Sequence, residues 1–168
     1  MFPGSIEIIP FSREVSRDEF ACGNSTLDFW LKQYAGQNED KFRTRTFLAV
    51  HSTSLQLLGY YTTVFGVVEP GAELEGIAVS NYSKPAFLIA KLAVDQRAQR
   101  HGVGKRMLSH ALNKALEASD SAGLEIVLVD AIDTNAVSFY GRFGFIRFDP
   151  QSHRMFMTMK FLRNSSQS

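Results

Sequence analysis

The stretch from Ala86 to Leu116, AFLIAKLAVDQRAQRHGVGKRMLSHALNKAL, constrains the fold more than any other part of the chain. Its opening, AFLIAKLAVD, is too continuously apolar for a strand with one face in water, so it predicts a central strand covered on both faces. Gly102 and Gly104 then interrupt the run among Arg97, Arg100, Lys105 and Arg106. Beyond them Val103, Met107, Leu108, Ala111, Leu112, Ala115 and Leu116 recur at helical spacing, and the helix is expected to run to about SDSAG at 119–123.

The turn between strand and helix can be tested against known anion-binding loops. A Walker A loop separates its first glycine by four residues from a Gly-Lys pair and follows that pair with Ser or Thr. Gln99 and Arg106 occupy those positions, which excludes it. A dinucleotide fingerprint requires a third glycine where Met107 stands. What remains is a strand, Gln-x-x-Gly-x-Gly, and a helix start whose backbone N–H groups and dipole favour an anion such as a pyrophosphate. The glycines permit close approach without a Cβ, and Arg97, Arg100 and Lys105 can neutralise phosphates. The competing reading is a glycine-rich helix start with solvated cations.

The rest of the chain predicts a mixed α+β fold. SIEIIPF reads as a first strand, and NSTLDFWLKQYA as a helix with Leu27, Trp30, Leu31 and Tyr34 on one face and a Ser25/Asp28 capping box. RTFLAVH and QLLGYYTTVFGVV flank the polar break STS as antiparallel neighbours. EPGAELEGIAVSNYSKP is expected as a mobile connection. LEIVLVDAI is a further buried strand, NAVSFYGRF a short helix stopped by Gly144, FIRF and RMFMTMKF closing strands, and RNSSQS a frayed tail.

A length of 168 residues suits one domain spanning 1–168. No apolar run is long enough for a membrane helix, and the start resembles neither a signal nor a transit peptide, so a cytoplasmic protein is expected. Cys22, the single cysteine, excludes an intrachain disulfide and is expected to be a buried thiol rather than a nucleophile. His51, His101, His110 and His153 have no metal-ligand spacing, and no metal is expected. The formal net charge of +1 gives no global nucleic-acid signal, although cations can still gather on one face.

The second motif, NAVSFYGRFGF, follows the glycine loop in a fixed order: strand with LAV, loop QRHGVG, long helix, strand IVLVDA, then this short helix. The chain here resembles the GNAT N-acetyltransferase superfamily, over nearly its whole length and most specifically over residues 86–147. The resemblance implies the GNAT fold: a mixed central sheet with a V-shaped splay between its central strands, flanked by helices. It implies acetyl-CoA as co-substrate, with the pyrophosphate at Gln99, Arg100, Gly102, Val103, Gly104 and Lys105. Leu92, Ala93 and Val94 would edge the pantetheine, and Asn135 and Phe139 its far side. It also makes Tyr140 the general acid. By periodicity alone Tyr140 is an aromatic on an apolar helix face.

The implied chemistry is acyl transfer, in which an amine attacks a thioester, a backbone N–H near Val94 stabilises the oxyanion, and Tyr140 protonates the departing thiolate. No carboxylate or histidine is compelled as general base, which favours an α-amino acceptor or a water relay. The amino-terminal half, FACGNSTLDFWLKQYA, RTRTFLAV and LLGYYTTVFGVV before AKLAVD, is similar to the GNAT toxins of bacterial toxin-antitoxin pairs. That similarity implies aminoacyl-tRNA as acceptor, a block of translation, a ribbon-helix-helix antitoxin and a homodimer. Lys41, Arg43 and Arg45 would share one face and meet tRNA phosphates if that segment is extended, with Arg13, Arg17, Lys84, Lys91 and Arg106 able to join them. A solvated, charge-protected strand edge is the alternative. Two rival functions are acetylation of a small-molecule or protein amine, and a catalytically silent CoA-binding interaction module.

Overall fold

The computed structural model describes residues 5–69 and 83–166; the connection expected to be mobile lies mostly outside them. The chain divides into two compact units, Met1–Val64 with Lys91–Ala111, and Phe65–Ala90 with Leu112–Ser168.

In the first unit, strand β1 (Ile6–Pro10) is followed by helices α1 (Ser25–Gln33) and α2 (Ala35–Asp40), strand β2 (Arg45–His51) and the start of β3 (Leu57–Val68). The end of β4 (Lys84–Val94) and the first half of α3 (Val103–Ser121) complete it. β1 pairs antiparallel with β2, and β2 with β3, as the hairpin pattern predicts. The N-cap of helix α1 is Asn24, one residue before the Ser25 of the expected capping box. The Asn24 side chain accepts from Leu27 N–H at 3.1 Å, whereas Asp28 Oδ1 accepts from Cys22 N–H at 2.9 Å and pins the entering chain. Leu27, Leu31 and Ala35 then pack with Val15, Phe20, Leu48, Val50, Leu57, Tyr60 and Ala93. Truncating Leu31 there would cost about 2–5 kcal/mol. Trp30 borders this cluster, while Tyr34 stays exposed.

Gly59 fixes how closely β3 approaches the elements around it, since an added Cβ would lie 2.8 Å from both the Ala93 carbonyl oxygen and Met107 Cε. On the same face the Tyr61 hydroxyl meets His110 Nδ1 at 2.6 Å, and Phe47 stacks on Tyr61.

In the second unit, β5 (Ile126–Asp130), α4 (Thr134–Gly141), β6 (Ile146–Arg147), β7 (Arg154–Thr158) and α5 (Met159–Ser166) follow in order. β4 pairs parallel with β5 from Ala86↔Ile126 to Ile89↔Val129. β7 lies antiparallel to both β5 and β6. Val68, Ala86, Ile126, Leu128 and Phe156 form its apolar cluster. Two expectations fail at the end of the chain: β7 stops at Thr158 rather than Phe161, and the predicted frayed tail begins inside α5. The Thr158 hydroxyl accepts from Phe161 N–H at 3.1 Å, so it caps the helix that replaces the strand.

Among the described residues the sheet runs β1-β2-β3-β4-β5-β7-β6, with the long apolar strand fourth of seven, β4 parallel to β5 and β5 antiparallel to β7. This is the mixed sheet expected of the GNAT fold. The parallel register ends at Ile89, and β4 continues to Val94.

Candidate functional site

The glycine loop belongs to the first unit and begins with a latch at the end of β4. Asp95, 2% exposed, caps a short 3-10 helix at Gln96–Ala98. Its carboxylate accepts from Arg97 Nε and Arg97 N–H, both at 2.9 Å, and from Ala21 N–H at 3.1 Å. Burial alone would push this carboxyl upward, but the Arg97 hydrogen bonds, the Ala21 N–H and the Arg97 charge outweigh it and hold it below the usual carboxylate range. Arg97 is thereby committed to Asp95, not available as the phosphate-neutralising cation expected from sequence. Gln99 adds a second tie: its amide donates to the Val94 carbonyl at 3.0 Å and to the Cys22 carbonyl at 2.9 Å. The Gln99 side chain is thus structural, leaving its backbone for any ligand.

After Gln99 the backbone turns through positive φ twice, at Arg100 (68°) and Gly102 (82°). Arg100 is strained there, while glycine is the residue such a φ favours. A Cβ added at Gly102 would meet nothing within 4 Å, so open space lies in front of the turn. α3 starts at once, with Arg106 N–H donating to the Gly102 carbonyl at 3.1 Å. The first-turn N–H groups of a helix have no acceptor within it. Exposed Arg100 and Lys105 flank these donors, and Val103 is buried beneath them. An open turn, unpaired donors and two cations fit the diphosphate of a coenzyme A thioester. Leu92 and Val94 are half-buried and Ala93 is buried at the end of β4.

The remaining predicted residues are in the second unit, on α4. Asp133 caps this helix by accepting from Ala136 N–H at 2.8 Å. Asn135 is exposed and Phe139 half-buried, while Tyr140 is 5% exposed. The Tyr140 ring packs edge-on against Phe139 and Phe145. Burial, and then the Asp130 carboxylate, raise its phenol well above the ordinary tyrosine range. Gly144 ends the motif at φ 104°, where an added Cβ would lie 2.6 Å from the Phe161 ring of α5. Asp130 is itself paired with Arg154 across β5 and β7, at 2.8 Å.

Lys41, Arg43 and Arg45 are exposed and close in sequence, but the segment holding them is not extended. Lys41 caps α2, Phe42 follows with φ 58°, and β2 begins only at Arg45. The strand-spacing argument for one shared face therefore fails. Arg45 is already paired with Glu39 at 3.0 Å, and other candidate cations are engaged as well: Arg13 with Asp40, Arg17 with the Leu31 carbonyl, Lys84 with Glu125. Lys91 rests its ammonium 4.4 Å from the Trp30 ring centroid, and burial draws its pKa down. Arg106 is exposed.

Sequence reasoning missed two features here. One is the Asp95 latch. The other is a groove of about 390 Å³ lined by Ser25, Thr26, Phe29, Trp30 and Tyr34, foreshadowed only by aromatics beyond those α1 needs for its core. Cys22 is half-buried rather than buried as expected; burial and its hydrogen bond with Asp28 push the thiol up to about 11, which leaves it protonated at neutral pH.

A family profile described as an acetyltransferase (GNAT) domain matches residues 61–147. The tRNA-acetylating toxin of Mycobacterium tuberculosis (strain ATCC 25618 / H37Rv) is 31% identical over 128 residues, 75% of each chain. The structure of AtaT complexed with acetyl-methionyl-tRNAfMet superposes with a TM-score of 0.84 at 25% identity, covering 96% of this chain and 98% of that one. A tyrosine-to-phenylalanine mutant of the AtaT toxin, bound to the C-terminus of the antitoxin AtaR and acetyl-CoA, gives a TM-score of 0.84 at 23% identity, covering 97% of this chain and 99% of that one. The profile alone spans half the chain, and the mycobacterial relative extends the likeness to three quarters of it. The chain belongs to the GNAT acetyltransferases, among the relatives of the tRNA-acetylating toxins.

Proposed function

We propose that this chain is the toxin of a toxin-antitoxin pair, an N-acetyltransferase that moves acetyl from acetyl-CoA to the α-amino group of aminoacyl-tRNA. The observation that carries the reading is the end of β4. There a strand continues past its parallel ladder and runs into an open, positive-φ turn at the start of a 19-residue helix. Acetyl-CoA supplies the activated acyl group. The N–H groups of Gly102, Val103, Gly104 and Lys105 take its diphosphate, aided by Arg100 and Lys105, while Gln99 braces the turn. The edge of Leu92, Ala93 and Val94 takes the pantetheine amides, and a backbone N–H near Val94 donates to the acyl oxygen as charge develops on it. The resemblance to the GNAT superfamily gives Asn135 and Phe139 the far side of the pantetheine.

Tyr140 is the general acid in this scheme. Its raised pKa keeps the phenol protonated at neutral pH, so a proton is available for the departing thiolate. An α-amino acceptor, with an ordinary pKa of about 7.7–8.0, reaches its neutral form without a dedicated base, whereas a lysine-like amine near 10.4 does not. Acetylation removes the nucleophile required for peptide bond formation, and translation stalls.

The reading treats residues 1–168 as one catalytic domain, since β3, β4 and α3 each contribute to both compact units. It also carries a homodimer and a ribbon-helix-helix antitoxin, both implied by the resemblance to GNAT toxins; the complex of AtaT with AtaR supports an antitoxin partner. The cytoplasm, where charged tRNA is used, is the proposed site of action. No helix among the described residues is long and apolar enough to cross a membrane.

Incubation with labelled acetyl-CoA and a mixture of charged tRNAs, followed by mass analysis of the released amino acids, tests the proposal. N-acetyl amino acids from one or a few tRNAs are expected. Label on free polyamines or protein lysines, with none on tRNA, would move the acceptor to the small-molecule or protein class.

A further inference from the structure

The turn after α2 carries a residue that folding does not explain. Arg43 N–H donates to the Asn38 carbonyl at 3.0 Å, and Phe42 N–H to the Glu39 carbonyl at 3.1 Å. This pair of bonds is the Schellman arrangement that closes a helix, and it places Phe42 where glycine is usual. Phe42 adopts φ 58°, in the left-handed region, at a cost of about 1–2 kcal/mol for a residue with a Cβ. Burial does not offset that cost, because the side chain is 80% exposed.

The ring is nevertheless held in place. The Arg45 guanidinium carbon lies 4.3 Å from its centroid. Arg45 is fixed in turn by Glu39, donating to its carboxylate at 3.0 Å and to its carbonyl at 3.2 Å. Glu39 also accepts from Thr46 N–H at 3.2 Å, which ties the assembly to the start of β2. Asp40 is neutralised by Arg13 through two hydrogen bonds, at 2.9 and 3.2 Å. Lys41 and Arg43, on either side of Phe42, are exposed and in no ion pair among the described residues. The turn therefore presents a braced aromatic ring between two uncompensated cations.

We propose that Phe42 is a stacking platform for an unpaired base of the RNA acceptor, with Lys41 and Arg43 taking the adjacent phosphates. Aromatic rings in cationic surroundings bind single-stranded nucleic acid in this way, because every base has a π-face and every linkage a charge. Lysine is depleted from protein–protein interfaces, so a ring flanked by unpaired cations suits RNA better than an apolar partner. That the RNA is tRNA rests on the function proposed above; the stacking rests on the turn itself.

The test measures fluorescence anisotropy with deacylated tRNA and with heparin, a polyanion without bases, for wild type, Phe42→Asn and Phe42→Trp. Asparagine tolerates the left-handed conformation, so Phe42→Asn keeps the turn. This variant is expected to bind tRNA about 5-fold to 100-fold more weakly, with an unchanged salt slope, unchanged heparin affinity and an undiminished melting temperature. Phe42→Trp should bind tRNA at least as well as wild type. Equal tRNA affinity for wild type and Phe42→Asn, in a protein that still acetylates charged tRNA, would overturn the platform alone. A change of oligomeric state on sedimentation of Phe42→Asn would overturn it in favour of a contact between copies. Wild type that neither binds tRNA nor acetylates charged tRNA would overturn both readings.

Discussion

Tyr140 and Asp95 are both buried, and their environments move their pKa values in opposite directions. For Tyr140, Phe139 and Phe145 hold the ring whether or not it carries a hydroxyl, so Tyr140→Phe should leave the urea midpoint nearly unchanged while kcat falls about 100-fold to 10,000-fold. Acetyl-CoA affinity should be preserved, and a variant with normal turnover but lower stability would reduce Tyr140 to a packing residue. Because burial raises the phenol pKa, kcat/KM should climb as the acceptor amine loses its proton near pH 8 and show no fall from Tyr140 before about pH 10. For Asp95 the folded pKa is lowered, so its contribution is fully present above the unfolded value of about 3.9 and is lost as pH falls through the folded one. Asp95→Asn should therefore cost about 1.5–3 kcal/mol at pH 7, with the gap to wild type closing on acidification below about pH 4. Urea titrations of both proteins at pH 7 and pH 3 measure that gap.

At the scale of elements, the loop between β4 and α3 depends on one backbone angle. Gly102→Ala places a Cβ at φ 82°, which costs about 1–2 kcal/mol or shifts the turn. Calorimetry should then show weaker acetyl-CoA binding even though the Cβ itself meets no atom within 4 Å. Unchanged affinity would remove the turn from the cofactor site. This element was legible in the sequence because a long apolar strand, two glycines and a helical period follow each other without ambiguity. The neighbouring latch was not, since a buried Asp95 and its Arg97 partner look like any charged pair before a turn. Helix α2, AGQNED, has no apolar periodicity to announce it. The cation spacing of Lys41, Arg43 and Arg45 suggested a strand because nothing in that sequence reveals a helix ending at Lys41. The α5 boundary was hidden differently: Met155, Met157, Met159 and Phe161 alternate straight through the change from β7 to helix, so period two outlasts the strand.

For the whole molecule, a net charge of +1 means that attraction to RNA has to come from local groups. Replacing Lys41 and Arg43 by serine should lower the slope of log affinity against log salt by roughly 0.7–0.9 for each phosphate no longer neutralised, without altering acetyl-CoA affinity. Identical slopes before and after substitution would place the RNA-binding cations elsewhere. The order of strands has a separate consequence for biosynthesis. β5 pairs with β4 on one side, but its other neighbour, β7, leaves the ribosome only after α4 and β6. Until then Ile126–Val129 form an uncovered apolar edge, and Phe161 has not yet closed over Gly144. A nascent chain halted before Arg154 would already include Tyr140 while lacking the strand that seals its sheet. Such a fragment would be an aggregation-prone target for chaperones and proteases, and a cell making this protein would carry less activity than its ribosomes initiate.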